Sequence, residues 1–323
     1  MIRDELLGLL WGRADAFVSG QELARALAVS RSAVWKAVEQ LRAEGYAIES
    51  VPRRGYRLRS ASDVLSEEGI RRHLVHQELR LQVYRSISST NTVLKAMAAE
   101  GAEAGLALVA GEQSAGRGRL GRSFYSPADT GVYLSLLLRP LLRAEEATRL
   151  TACAAVAAAE AIEALSGRET GIKWVNDIFM DGRKVCGILT EGGVDCETGL
   201  LHYAVIGIGV NTRVPEGDFP AELRGVAGAA FGGQSVPELR CRLAAGILDR
   251  LADYTQRPSD PALFEAYRSR SLVLGREVDV LSPGREPQAA QVLALQPDYS
   301  LLLRLPDGST QTLRAGEVSL RAR

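Results

Sequence analysis

The stretch GEQSAGRGRLGR, Gly111–Arg122, decides which fold the chain adopts. Gly116, Gly118 and Gly121 spell G-x-G-x-x-G, the fingerprint of a dinucleotide-binding strand–turn–helix, yet the positions around them hold Arg117, Arg119 and Arg122. A strand-like run, GLALVAGEQ, does precede the glycines. After them comes SFYSPADTGVYLSLLL, with Pro127 and Gly131 leading into a second strand. With no helix after the glycines, neither a dipole nor a row of free amides awaits a pyrophosphate. The helical unit that opens the chain also leaves no βαβ start, so a Rossmann domain is disfavoured. An Arg-Gly nucleic-acid tail is disfavoured because such tails are low in complexity, whereas this segment lies between two strands. A solvated surface loop remains the plain alternative. The stronger reading is an anion clamp. Glycine lets the backbone approach a ligand closely, and arginine presents a planar fork to carboxylate or phosphate. Three cations this close repel one another, so the loop is expected to be disordered until it folds over an anion.

Upstream, residues 1–62 read as a compact helical unit. Leu6, Leu7, Leu10 and Trp11 form a helical stripe in RDELLGLLWGRA. Ser19 and Glu22 have the spacing of a capping box before Leu23, Ala24 and Leu27. After the short Ala28–Val29 turn, Ser30 caps a helix with Val34, Val38 and Leu41 on one face and Gly45 at its end. YAIESVPRRGYRL then alternates around a Pro52–Gly55 turn. Three helices and a hairpin make a winged helix-turn-helix. In that fold the N-terminal residues of the third helix face the major groove. Arg31, Ser32, Trp35 and Lys36 on that helix, with Arg53 and Arg54 at the wing tip, are the expected DNA-binding residues. A solvated basic face on a protein-interaction domain is the alternative.

Downstream, residues 63–271 alternate strands and helices in the pattern of a mixed α+β sheet domain. The long helix AEEATRLTACAAVAAAEAIEAL carries small residues suited to close packing, and Asp181-Gly182 marks a hairpin turn. From residue 272 only short strands appear, punctuated by Pro283-Gly284, Pro297-Asp298 and Asp307-Gly308, which reads as a small β-barrel.

Composition narrows the classes. Lys plus Arg and Asp plus Glu balance at 39 each, so any nucleic-acid surface is local rather than global. No export signal or membrane span is read, and Cys153, Cys186, Cys196 and Cys241 show no C-x-x-C pairing, so a cytoplasmic protein without a protein-bound metal site is expected. Only Lys36, Lys95, Lys173 and Lys184 are lysines, which marks each for a task arginine cannot fill.

Several short motifs then fall in order: SSTN (Ser88–Asn91), GEQSAGRGRLGR, KWVND (Lys173–Asp177), GRKVCGILTE around Lys184, and GIGVN ending at Asn211. Taken singly each is weak, and SSTN alone is a helix cap. Together they resemble the biotin protein ligase family. With the winged helix in front and the small barrel behind, the chain is similar to its bifunctional members, which also repress biotin-synthesis genes. The resemblance implies an N-terminal winged helix-turn-helix, a class II synthetase-like ligase domain and an SH3-like C-terminal barrel. It implies a two-step reaction with ATP, Mg²⁺ and biotin: formation of biotinyl-5′-adenylate, then transfer to a lysine of the biotin carboxyl carrier protein of acetyl-CoA carboxylase or another biotin-dependent carboxylase. Carried onto this sequence, Ser89, Thr90, Asn91 and Gln113 would hold biotin together with Arg117, Gly118, Arg119 and Lys184. Arg119 and Arg122, with Asn176, Asp177 and Asn211, would serve ATP and the adenylate; Lys184, Arg117 and Arg119 would carry the chemistry. A ligand-promoted homodimer on operator DNA is implied by the same resemblance. A winged-helix sensor of a small anion and a lipoate ligase are the rival readings. Val175 stands where the family has proline, and Phe124-Tyr125 where it commonly has tryptophan.

Overall fold

The computed structural model describes residues 2–59, 62–195, 197–234, 236–281 and 286–320. Cys196 and the Pro283-Gly284 turn lie outside the described residues. The chain divides into two compact units, Met1–His73 with Gln234–Arg242, and Leu74–Gly233 with Leu243–Arg323.

In the first unit, α1 (Ile2–Trp11), α2 (Gly20–Ala26) and α3 (Arg31–Ala43) precede a hairpin of β1 (Ile48–Val51) and β2 (Gly55–Leu58), followed by the short α4 (Glu67–Arg71). The apolar spacing does what it predicts. Leu6, Leu7, Leu10, Leu23, Val34, Val38, Leu41 and Leu58 are buried in one core, each side chain contributing about 1.5–3 kcal/mol of transfer free energy. Trp11 packs only partly against it. Ser19 and Ser30 cap α2 and α3, accepting from the amides of Glu22 and Ala33. The Glu22 carboxylate, expected to complete a capping box, ion-pairs with Arg13. Val18 pairs with Tyr56 as an isolated antiparallel bridge, laying the residues before α2 along the wing. Gly55, at φ +100°, makes that crossing possible, because a Cβ there would stand 2.1 Å from the Val18 carbonyl oxygen.

The second unit is built on a seven-stranded sheet. Its strands are β3 (Arg80–Tyr84), β4 (Leu106–Ala110), β5 (Gly131–Leu138), β6 (Gly171–Lys173), β7 (Asp177–Met180), β8 (Arg183–Val194) and β9 (Leu201–Asn211), in the spatial order β3-β4-β5-β9-β8-β7-β6. Helix α5 (Thr90–Ala99) joins β3 to β4, which run parallel; every other pair is antiparallel. One expectation is corrected here. A βαβ unit does precede the glycine-rich loop, but the loop comes after its second strand and leads to antiparallel β5, so no dinucleotide fold results. The apolar runs of β4 and β5 are buried along almost their whole length. Helix α6 (Ala147–Ser166) packs on β8 and β9, and Ala154, Ala155, Ala157, Ala158 and Ala159 are fully buried along it, as its small residues suggested. It ends on Gly167 at φ +68°. Asp181 and Gly182, both at positive φ, turn β7 into β8 as the sequence indicated. Helices α7 (Leu239–Gln256) and α8 (Pro261–Ser269) lead to the C-terminal strands.

Those strands, β10 (Glu277–Leu281), β11 (Gln288–Leu295), β12 (Leu301–Arg304), β13 (Thr310–Leu313) and β14 (Glu317–Leu320), form an antiparallel sheet of order β13-β12-β11-β10-β14 around Val278, Val292, Leu301, Leu303 and Val318. The turns at Pro297-Asp298 and Asp307-Gly308 lie where the sequence put them. The indole Nε1 of Trp174 donates to Tyr299 O at 2.7 Å, tying KWVND to this sheet.

Candidate active site and DNA-facing surface

One cleft in the second unit gathers the dispersed motifs. It is lined by Ser89, Thr90, Asn91, Gln113, Arg117, Gly118, Arg119, Arg122, Asn176, Asp177 and Lys184. Asn211 is the one residue expected at this site that stands outside the lining.

Its floor is a chain of buried polar groups. Ser89, as the N-cap of α5, accepts from Thr92 N. The Thr90 amide and hydroxyl donate to Gln113 Oε1 at 2.9 and 3.2 Å, and Gln113 Nε2 donates to Ser126. The fully buried Ser135 hydroxyl lies 2.8 Å from Thr90 Oγ1 and 2.6 Å from Asn91 Oδ1. Asn91 Nδ2 donates to Leu189 O and Glu191 Oε2, and Lys95 Nζ reaches the other Glu191 oxygen at 2.6 Å. Burial alone would raise the Glu191 pKa, but the hydrogen bonds from Lys95 and Asn91 outweigh it and hold the carboxyl below its ordinary value. The motif that resembled a simple cap is therefore both a cap and part of a network.

Glycines bring the strands close beneath this network. A Cβ on Gly207 would stand 2.1 Å from Asn91 Oδ1, and Cβ atoms on Gly187 and Gly209 would meet the Phe124 ring at 2.8 and 2.6 Å. Phe124 thus lies against the bare backbone of β8 and β9. The bond between Trp174 and Val175 is cis.

The arginine loop is a tight turn in this structure. Gly118 N donates to Arg122 O, and Phe124 N to Gly116 O. A single 3₁₀ turn, Arg119–Gly121, replaces any helix, with Leu120 at φ 54°. The arginines have separate partners. Arg119 donates to Asn176 Oδ1 at 2.9 Å and Gly316 O at 2.8 Å, while Arg122 forks onto both oxygens of Glu317. Arg117 is exposed and has no ion pair among the described residues. The partnering from β14 and the residue before it was not legible in the sequence, which held no signal joining positions 119 and 316.

Lys184 Nζ lies 2.7 Å from Asp177 Oδ1, which also accepts from Asn176 Nδ2 at 3.0 Å. The main chain of Lys184 is held on both sides, its N donating to Val226 O and its O accepting from Gly228 N. Asn211 Nδ2 donates to Gly228 O at 3.2 Å, so it supports the segment that braces Lys184. The lining also includes Phe124; Lys173, Glu317 and Ser319 line it too, where the sequence reading did not place them.

The first unit carries the second surface. Arg31, Ser32, Trp35 and Lys36 are exposed along α3, Trp35 at 54%, and Arg53 and Arg54 are exposed at the wing. Between Ile2 and Arg59 the basic residues divide cleanly. Arg3, Arg13, Arg42, Arg57 and Arg59 each face a carboxylate. Arg25, Arg31, Lys36, Arg53 and Arg54 have no ion pair among the described residues, and four of these five are the residues expected at DNA. Arg25, in the last turn of α2, was not among them.

Fold and site together define an α+β ligase-type domain behind a helix-turn-helix unit. Residues 83–211 match the biotin/lipoate A/B protein ligase family, and residues 5–57 match a helix-turn-helix domain. The chain is 40% identical over 235 residues to the bifunctional ligase/repressor of Bacillus subtilis, covering 70% of each chain. To the bifunctional ligase/repressor of Escherichia coli it is 30% identical, over 95% of this chain and 94% of that one. Among solved structures, the biotin protein ligase of Aquifex aeolicus in complex with biotin and ATP superimposes with a TM-score of 0.62 at 26% identity, covering 76% of this chain and 99% of that one. The chain belongs to the biotin protein ligase family, in its bifunctional ligase/repressor branch.

Proposed function

We propose that the cleft activates biotin with ATP and passes it to a carrier-protein lysine, and that the first unit binds operator DNA. In the first step a biotin carboxylate oxygen attacks the α-phosphorus of ATP and the bond to pyrophosphate breaks, leaving biotinyl-5′-adenylate. In the second, the lysine amine attacks the mixed-anhydride carbonyl, AMP leaves and an amide forms. The observation that supports this most is the convergence of Lys184, the arginine loop and the Ser89–Asn91 network on one cleft. Ser89, Thr90, Asn91 and Gln113 present fixed donors and acceptors to the polar head of biotin. Arg117, Gly118 and Arg119 close over the adenylate, and Arg122 meets the triphosphate. Lys184, braced through its main chain, stabilises charge developing on the transferring phosphoryl oxygens. Asn176, Asp177 and Asn211 serve nucleotide binding.

Magnesium fits as a companion of the triphosphate. Asp177 and Glu317 are the carboxylates of the lining; Glu317 is paired with Arg122, and Asp177 would hold the ion, since such ions take one or two protein carboxylates and complete their shell with phosphate and water. When bound, it neutralises phosphate charge.

In the same reading the chain has three domains, 1–62, 63–271 and 272–323, with a class II synthetase-like centre and an SH3-like barrel at the end. The protein acts in the cytoplasm on the carrier protein of acetyl-CoA carboxylase or another biotin-dependent carboxylase, and the adenylate promotes a homodimer. Incubation with biotin, Mg-ATP and labelled pyrophosphate is expected to show biotin-dependent exchange of label into ATP. Exchange absent with biotin but present with lipoate would point to the lipoate ligases; no exchange at all, to a small-anion sensor.

A further inference from the structure

The wing of the first unit holds an arrangement that neither the recognition helix nor the basic residues alone explain. Phe17 lies one residue before Val18, whose two backbone hydrogen bonds to Tyr56 fix it against β2. The guanidinium carbons of Arg54 and Arg57 lie over the Phe17 ring, 4.2 and 4.5 Å from its centroid. The two arginines have different electrostatic fates. Arg57 donates to Glu49 on the neighbouring strand and is neutralised there. Arg54 is exposed, with no carboxylate among the described residues. A guanidinium that stacks on a ring uses its face, and its N–H donors, which lie in the plane, remain free to bind. An unsupported arginine at a turn would spread over many rotamers, each presenting those donors in a different direction.

We infer that Phe17 is a positioning residue for DNA binding: its ring holds the Arg54 guanidinium at the wing with its donor edge free for a backbone phosphate. This rests on the DNA-binding role proposed above. Arg57, which also stacks on the ring, is tied to Glu49 rather than meeting DNA. The contact is with phosphate and therefore independent of base sequence.

The test uses the full chain with biotin and Mg-ATP and a fluorescent mixed-sequence duplex of about 40 base pairs, titrated over a range of salt concentrations. Arg54→Ala is expected to weaken binding and to reduce the slope of log affinity against log salt by about one. Phe17→Leu is expected to weaken binding about 5-fold, within the range of a lost cation–π contact, while Phe17→Tyr binds within about 2-fold of wild type. In an Arg54→Ala background, Phe17→Leu should add less than about 2-fold, because the positioned group is gone. Arg54→Lys, which keeps the charge but not the planar face, should resemble Phe17→Leu, and it tests the stack without disturbing the ring. Biotin-dependent pyrophosphate exchange should be unchanged in every variant. Wild-type binding by Phe17→Leu or Arg54→Lys, or full additivity of Phe17→Leu with Arg54→Ala, overturns the positioning role alone. Failure of the wild-type protein to bind any duplex overturns the DNA reading and this inference with it.

Discussion

Gly207 shows how a residue without a side chain can shape a site. Its missing Cβ leaves room for Asn91, so Gly207→Ala is expected to push the amide off its partners and raise the KM for biotin about 10-fold or more, with a smaller change in kcat. Steady-state exchange kinetics measure both. Glu191 anchors the other side of the same amide. Its folded pKa lies below the unfolded value near 4.5, so its stabilising contribution is present above that value and lost as pH falls through the folded pKa. Glu191→Gln should therefore show a smaller drop in Tm between pH 7 and pH 4 than wild type, by about 2 °C. Thermal melts at the two pH values check this. Among the described residues, Cys153, Cys186 and Cys241 have no comparable role. Burial pushes the Cys153 and Cys241 thiols up to about 12 and Cys186 further still, which suits inert core residues.

Among the elements, the arginine loop is where sequence and structure differ most instructively. The sequence identified its letters and predicted repulsion among three cations. The fold relieves that repulsion by giving Arg119 to Asn176 and Gly316, and Arg122 to Glu317. Arg119→Ala removes two of those hydrogen bonds, and Gly118→Ser adds a side chain to the cleft lining, its Cβ at an ordinary 3.4 Å from Arg122 O. Both are expected to speed release of the adenylate about 10-fold or more and so lower ligation and repression together. Stopped-flow measurement of adenylate dissociation is the check; unchanged rates would remove the loop's clamping role. The wing is the second such element. Gly55→Ala meets both a positive φ and the Val18 carbonyl, and is expected to destabilise the first unit by about 2 kcal/mol or more. Duplex binding should fall sharply while exchange activity persists.

At the scale of the molecule, the reading proposed above gives the ligase and repressor functions one shared ligand. If the adenylate favours the dimer, the dimer favours the adenylate by the same factor. Sedimentation with and without biotin and Mg-ATP should show tighter self-association in their presence. The adenylate should in turn leave more slowly as protein concentration rises. Arg119→Ala should weaken both effects in parallel.

The sequence by itself determined the class of fold, the helix caps and most of the residues that line the cleft. These depend on apolar period, turn chemistry and motif order, which are local and written in adjacent residues. It also separated the G-x-G-x-x-G match from a dinucleotide site, because the absence of a helix after the glycines is local too. Only the tertiary structure decided the rest: that β3 and β4 form a parallel crossover, that Asn211 braces the Lys184 segment through Gly228, that Glu317 faces Arg122, and that Phe17 lies under Arg54. Each of these joins residues through packing and strand register. Such pairings are set by which surfaces can be buried together, and no spacing along the chain encodes them.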